Sequence, residues 1–379
     1  MNFEKIDQYL DTLPQCGIPA CSLIVTHKGK EVYSHSAGFA DLEGNRPADV
    51  NDLYWVCSIT KVTTCVAAMQ LVERGVIGLD DPVCKYLPAF AELYVRSADK
   101  SKTVTRAANV MTVGHLFTMT GGLGYALNDE PIANACADRH ATTVEVVSAM
   151  AKVPLFFEPG TRFRYSLCHD VLAAVVEVAS GMRFADYVKA NILDPLGMKD
   201  TGYHLPAGMA DRMTTMYQYR QGLYYSEPIP CANKYCLTDN YDSGGAGLYT
   251  SPADQIRLLT ALANGGTAPD GSLILRPETI VSMGVNRLPD SARPDFMPTR
   301  LYGYGWGLCG RAHMDATVSS SLSSVGEFGW DGATGSFALV DPARQVAIYL
   351  GVHVFGCQYI YHDAHPRLRD MVYEELNKL

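Results

Sequence analysis

No stretch of eighteen apolar residues occurs in the chain, so no membrane-spanning helix and no membrane partner are expected. No basic-then-apolar leader opens it; Met1-Asn2-Phe3-Glu4-Lys5-Ile6-Asp7 mixes charged and apolar residues, and no export signal is expected. Basic residues are the minority: 31 Lys and Arg against 40 Asp and Glu leave a net charge of −9, which argues against nucleic acid or an anionic membrane surface as a partner. None of the eleven cysteines forms a Cys-x-x-Cys pair. Their number is odd and their spacing scattered, and Cys21, Cys57, Cys65 and Cys309 sit in apolar runs, where a thiol packs as a small hydrophobe. Neither a disulfide framework nor a structural zinc is expected, and a reducing cytoplasm is the expected compartment. No repeat or low-complexity linker divides the 379 residues, which suffice for one large domain or two subdomains.

What is present is organised around Cys57-Ser58-Ile59-Thr60-Lys61. Upstream, Asn51 to Val56 has no helical period; downstream, Val62, Cys65, Val66, Met69, Leu71 and Val72 recur as one buried helical face would. The spacing predicts a helix running to Gly75 with Ser58 near its N-cap and Lys61 less than a turn away on the same side. A serine hydroxyl needs a neighbouring base to become a nucleophile, and a lysine drawn into an apolar helix start loses hydration, which favours the neutral amine. Unpaired N–H groups at a helix start favour negative charge developing beside them. Ser-x-x-Lys also occurs at Ser97-Ala98-Asp99-Lys100, inside the polar run Arg96 to Arg106 that reads as a loop without an apolar face.

Along the chain, residues 2–12 read as an amphipathic helix, then Ala20 to Thr26 and Glu31 to Gly38 as a hairpin around His27-Lys28-Gly29-Lys30. Helices are predicted over His115 to Thr120, Thr143 to Lys152, Asp170 to Gly181, Phe184 to Leu193 and Ser251 to Asn264. Thr214 to Asp242 loses periodicity and is rich in tyrosine (Tyr217, Tyr219, Tyr224, Tyr225, Tyr235), which reads as a long substrate-facing cap or as half-buried packing. Gly335 to Val340 and Gln345 to Val354 form a second predicted hairpin, followed by a helix from His365 to Leu379. Strands at both ends with helices between imply one sheet closed by the two termini, around an inserted helical region. His362-Asp363-Ala364-His365 has metal-ligand spacing but opens the last helix, and no metal is expected there. Arg162 and Arg164 flank Tyr165 and read as solvated residues or as a clamp for an acidic group.

Further stretches accompany the Ser58 motif in order. They are His115-Leu116-Phe117-Thr118-Met119-Thr120-Gly121-Gly122-Leu123, Phe157-Glu158-Pro159-Gly160-Thr161 leading into Phe163-Arg164-Tyr165-Ser166, and Pro195-Leu196-Gly197-Met198. Gly244-Gly245-Ala246-Gly247-Leu248 and Tyr302-Gly303-Tyr304-Gly305-Trp306 follow. Over residues 16–355 this order resembles the serine β-lactamase and penicillin-binding-protein superfamily, in the branch of class C β-lactamases and family VIII carboxylesterases. The resemblance implies a β-lactamase-like α/β fold: an antiparallel sheet from both termini (1–80 and 245–379), a helical subdomain (81–244) with a cap over 214–242, and the active site between them.

It also implies roles for residues. Ser58 is the nucleophile, and Lys61 with Tyr165 handles its proton; a free phenol titrates near about 10, so Tyr165 needs an ammonium nearby. Tyr165-Ser166-Leu167 keeps the tyrosine of the family's Tyr-x-Asn motif but lacks the asparagine, and Tyr125-Ala126-Leu127 matches it more weakly. Gly329-Trp330-Asp331-Gly332-Ala333-Thr334-Gly335 stands where relatives carry Lys-Thr-Gly, so the N–H groups of Ser58 and Ala333 would hold the oxyanion. Trp330 replaces the lysine that would meet a penicillin carboxylate, as in family VIII carboxylesterases, and Asp331 is expected to add negative charge at the site. Substrate contacts are expected from Trp330, Asp331, Gly332, Tyr125 and Leu167. The expected activity is a serine hydrolase working through an acyl-enzyme on a small-molecule ester or amide, foremost a carboxylesterase for small to medium acyl esters, with no cofactor. The alternatives are a β-lactamase or D-amino-acid-specific peptidase, an intracellular acyltransferase, and a catalytically silent ligand-binding homologue.

Overall fold

In the strand Ala20–His27 every residue but the last is buried, so both of its faces are covered. Alternation sorts those faces. Leu23 and Val25 join a core with Ile348, Leu350, Leu368 and Val372, whereas Ile24 joins a second core with Tyr349, Val62 and Val66. The first core is closed by the terminal helices Glu4–Leu10 and His365–Leu376, and the second by helices on the opposite face of the sheet.

The computed structural model describes residues 2–97, 104–205, 208–220, 225–296 and 301–378. Its main sheet has eight strands in the order Tyr304–Trp306, Arg311–His313, Phe328–Gly329, Phe337–Asp341, Val346–Val352, Ala20–His27, Lys30–Asp41, Arg46–Pro47. Every neighbouring pair is antiparallel. The centre is the join between the two ends of the chain, Cys21 opposite Val352 through His27 opposite Val346. This is the β-lactamase and penicillin-binding-protein fold. Among the described residues no helix is long and apolar enough to cross a membrane.

The nucleophile helix spans Thr60–Glu73 and is buried on all sides from Thr60 to Leu71, where the sequence pattern implied one face. It lies between the sheet and the helical region, and its polar side chains find partners there. Thr64 Oγ1 donates to the Gly244 carbonyl at 2.7 Å, and Gln70 Nε2 to the Asn191 and Ile274 carbonyls at 3.1 and 3.0 Å. Its neighbour Cys168–Ser180 is also apolar on most sides. Thr143–Met150 starts at a reciprocal cap, Thr142 accepting from the Glu145 N–H while the Glu145 carboxylate accepts from that of Thr142.

Two predicted loops hold paired strands. Tyr94–Arg96 pairs with Val104–Arg106, so the polar run begins and ends as a hairpin; residues 98–100 of the Ser97 to Lys100 motif lie outside the described residues. In the 214–242 segment, Met216–Arg220 pairs with Tyr225–Ile229 and also, in parallel, with Val354–Phe355. The outer strand is only partly covered, so neither alternation nor a continuous apolar run marks it in the sequence. Tyr224 lies outside the described residues. The last helix ends at Leu376 rather than at the terminus.

Candidate active site

The short strand Tyr54–Trp55 leads to an elbow. Cys57 has φ +47°, a left-handed conformation uncommon for a side chain with a Cβ and held only where the surroundings impose it. It turns the chain into the 3-10 turn Cys57–Ile59 and then into the nucleophile helix, so Ser58 sits in the turn before the helix rather than at its cap. Thr60 pins the elbow, its Oγ1 donating to the Cys57 carbonyl at 2.6 Å and accepting the Leu248 N–H at 3.0 Å.

Lys61 is 1% exposed. Its Nζ donates to the Gly245 carbonyl at 2.6 Å and lies 3.2 Å from Ser58 Oγ and 3.3 Å from the Tyr125 hydroxyl. Three acceptors match the three protons of an ammonium. The neutral amine fits the same place, with two N–H bonds to Gly245 and Tyr125 and its lone pair toward the Ser58 proton.

The two tyrosines differ from the sequence expectation. Tyr125 is the one hydrogen-bonded to Lys61. Desolvation pushes its phenol well above the ordinary range, the neighbouring Tyr165 and Asp170 add to the push, and it stays a neutral hydroxyl. Tyr165 turns its ring face to Lys61, 4.8 Å from Nζ to the ring centre, and accepts a hydrogen bond from Trp330 Nε1 at 2.8 Å. Trp330 is wedged between Tyr165 and Trp306, with ring centres at 5.4 and 4.6 Å. The indole occupies the place of the missing cation and holds the Tyr165 oxygen.

The turn after Trp330 packs on the elbow. A Cβ on Gly332 would stand 2.7 Å from the Val56 carbonyl, so only glycine lets the turn come this close. Thr334 Oγ1 reaches the Trp55 carbonyl at 3.5 Å. Tyr361 donates to the Gly332 carbonyl at 2.7 Å and His365 Nε2 bonds the Gly335 carbonyl at 2.9 Å, bracing the turn from the C-terminal side. His365 of the metal-spaced quartet is thus a buried brace. Ala333 is exposed at the tip of this turn.

Asp331 is a correction. Strand alternation turns it away from Trp330, it is 5% exposed, and Arg311 Nη1 pairs with it at 2.8 Å, so its charge is neutralised behind the cleft. Leu167 is buried and lines a small apolar cavity with Leu123, Ala126, Ile132 and Phe156. Arg162 makes a two-pronged ion pair with Asp295 at 2.7 and 3.1 Å, and Arg164 stacks on Phe156, its guanidinium carbon 3.7 Å from the ring centre. Arg162 is thus committed to Asp295, while Arg164 is exposed and held on a ring face. Asp170, which the sequence marks only as a helix start, lies beside Gly245.

A serine and a lysine meeting at a strained elbow, under phenols and beside a glycine turn, define the nucleophilic cleft of a serine hydrolase. The chain belongs to the Beta-lactamase family, which matches residues 4–356. Esterase EstB of Burkholderia gladioli is 31% identical over 357 residues, covering 86% of this chain and 84% of that protein. A putative D-alanyl-D-alanine carboxypeptidase of Salmonella typhimurium is 25% identical over 370 residues, covering 91% and 81%. Among solved structures, EstCE1, described as a hydrolase with promiscuous acyltransferase activity, superposes with a TM-score of 0.78 at 24% identity over 98% of both chains. Simvastatin synthase (LovD) of Aspergillus terreus does so with 0.84 at 19% identity over the whole of both.

Proposed function

We propose that this serine hydrolase is a carboxylesterase for small to medium acyl esters. The observation that carries this reading is Trp330: an apolar indole, tied to Tyr165, stands where a cationic side chain would meet the carboxylate of a penicillin or a peptide C-terminus. The neutralisation of Asp331 leaves the cleft wall around it apolar. EstB, 31% identical to this chain, is an esterase by name, which supports the same reading.

In this reading Ser58 Oγ attacks the ester carbonyl carbon as its proton passes to Lys61 Nζ, and the carbonyl π electrons move onto the oxygen. The N–H groups of Ser58 and Ala333 receive that oxyanion. As the intermediate collapses, the bond to the leaving alcohol breaks and the alkoxide takes the proton from Lys61, assisted by Tyr165. Water then attacks the acyl-enzyme by the same route and releases the acid.

The test is turnover of a short-chain nitrophenyl ester beside nitrocefin, with Ser58→Ala as control. Ester turnover is expected to vanish in the variant, and nitrocefin kcat/KM to be at least about a hundredfold lower than that of the ester, about 2.7 kcal/mol of transition-state discrimination. Comparable or faster nitrocefin turnover overturns the reading in favour of a β-lactamase.

A further inference from the structure

Asp170, in the first turn of the helix Cys168–Ser180 and 1% exposed, lies beside Gly245, whose carbonyl takes the shortest bond from Lys61. Asp170 Oδ1 accepts from Ser243 Oγ at 2.6 Å and from the Tyr241 hydroxyl at 2.8 Å. Oδ2 faces Gly245, whose backbone N–H also favours the charged carboxylate. A Cβ on Gly245 would stand 2.4 Å from Oδ2 and 3.4 Å from Lys61 Nζ. The carboxylate and the amine therefore face each other across an unsubstituted glycine, within about 6 Å, where low interior polarity keeps charges strongly coupled. Burial drives the Asp170 pKa up, and Ser243, the Lys61 charge, Tyr241 and the Gly245 backbone oppose it.

The other groups around Lys61 are neutral or positive. His169, buried on the same helix, is held down to about 3 by burial and then by Lys61. Burial pushes Cys57 up to about 12 and Cys168 up to about 11, and holds Cys65 and Tyr125 well above their ordinary ranges. Tyr165 presents its ring face and Ser58 its hydroxyl. Asp170 is the carboxylate of this group.

We infer that Asp170 is a positioning residue for Lys61, which through its Oδ2, one glycine away, stabilises the ammonium that forms as Ser58 gives up its proton. A buried carboxylate behind a general base makes that base stronger and fixes its direction, as in the Ser-His-Asp arrangement, but here the contact runs through the backbone of Gly245 instead of a direct hydrogen bond. The inference rests on Lys61 acting as the base for Ser58, and not on which substrate is cleaved.

The test is the pH dependence of Ser58 labelling by a fluorophosphonate, which reads the activation of Ser58 without reference to substrate. Lys61→Met is expected to slow labelling about a thousandfold or more; labelling at the wild-type rate would overturn the base reading itself. With Lys61 intact, Asp170→Asn keeps the shape and an oxygen for Tyr241 and Ser243. Its labelling is expected to fall about tenfold or more on the plateau, and the acid limb to move about one pH unit or more toward acid, because an ammonium without its anion loses its proton more readily. Tyr241→Phe and Ser243→Ala weaken the carboxylate without removing it and are expected to shift the limb the same way by less. A slower reaction with an unmoved limb in folded Asp170→Asn means a merely structural role and overturns the inference. If that variant does not fold, an unmoved limb in both milder variants does the same.

Discussion

Two buried cations, Arg311 and Lys61, lie near Trp330 and are treated differently. Arg311, 3% exposed, touches Asp331 at 2.8 Å and Glu327 at 3.3 Å, gives a further bond to the Ala338 carbonyl, and lies over the Phe337 ring. Glu327 is in turn held by Tyr304 and Ser323. Lys61 is as deeply buried, yet its hydrogen bonds go to a carbonyl and two hydroxyls, and its carboxylate is kept one glycine away. A fully paired charge holds structure and does not change its protonation. A charge left at arm's length from its counter-ion can give and take a proton. The first arrangement suits a brace, the second a base.

The largest break in this comparison is Lys61→Met. Ester turnover and Ser58 labelling are expected to fall about a thousandfold or more, while the melting temperature changes little, since Asp170, already pushed toward its protonated form by burial, takes up a proton when its counter-charge is gone. Labelling kinetics and a thermal melt check both halves. Next is Arg311→Met, which strands two buried carboxylates and is expected to destabilise the fold by about 3–5 kcal/mol. Urea unfolding measures it, and a loss below about 1 kcal/mol would dissolve the contrast.

The smallest effect sharpens the paired case. His204 sits against Asp242, Oδ1 at 3.4 Å, beside Arg183. The Asp242 contact raises the His204 pKa from 6.5 to about 9. Burial would raise that of Asp242, but His204 and Arg183 outweigh it and hold it below 3.8. The histidine's contribution is therefore complete below pH 6.5 and is lost as pH rises through about 9; the aspartate's is present above 3.8 and lost in stronger acid. The imidazole is nearly half exposed, so the fall in melting temperature on the alkaline side is expected to be small, and His204→Gln to remove it.

Much of the site is local and therefore legible. Ser58 and Lys61 share one helical turn, and Trp330 stands inside a recognisable glycine-rich stretch. Tyr125 and Asp170 are not legible in this way. The first meets Lys61 from 64 residues away, and the second acts through a loop 73 residues beyond it that no short motif encodes. Asp331 was readable by a rule at hand: neighbours on a strand face opposite sides, so a cleft-facing Trp330 sends Asp331 to the back. In the fold, the turn His27-Lys28-Gly29-Lys30 and the stretches on either side of it announced the first hairpin of the sheet. The hairpin inside 214–242 did not announce itself, because its edge is only partly covered and its parallel partner is Val354–Phe355, far along the chain.

The pairing of Ala20–His27 with Val346–Val352 also sets a timetable for synthesis. The strand made near the start has one correct neighbour at once, Lys30–Asp41, and waits for the other until almost the whole chain has been translated. Until then an apolar strand edge and the nucleophile helix, buried on all sides in the finished fold, stand without their full cover. The glycine turn that completes the cleft is made late as well, after Trp330. A fragment that stops short of Trp330 carries Ser58 and Lys61 without the turn that faces them.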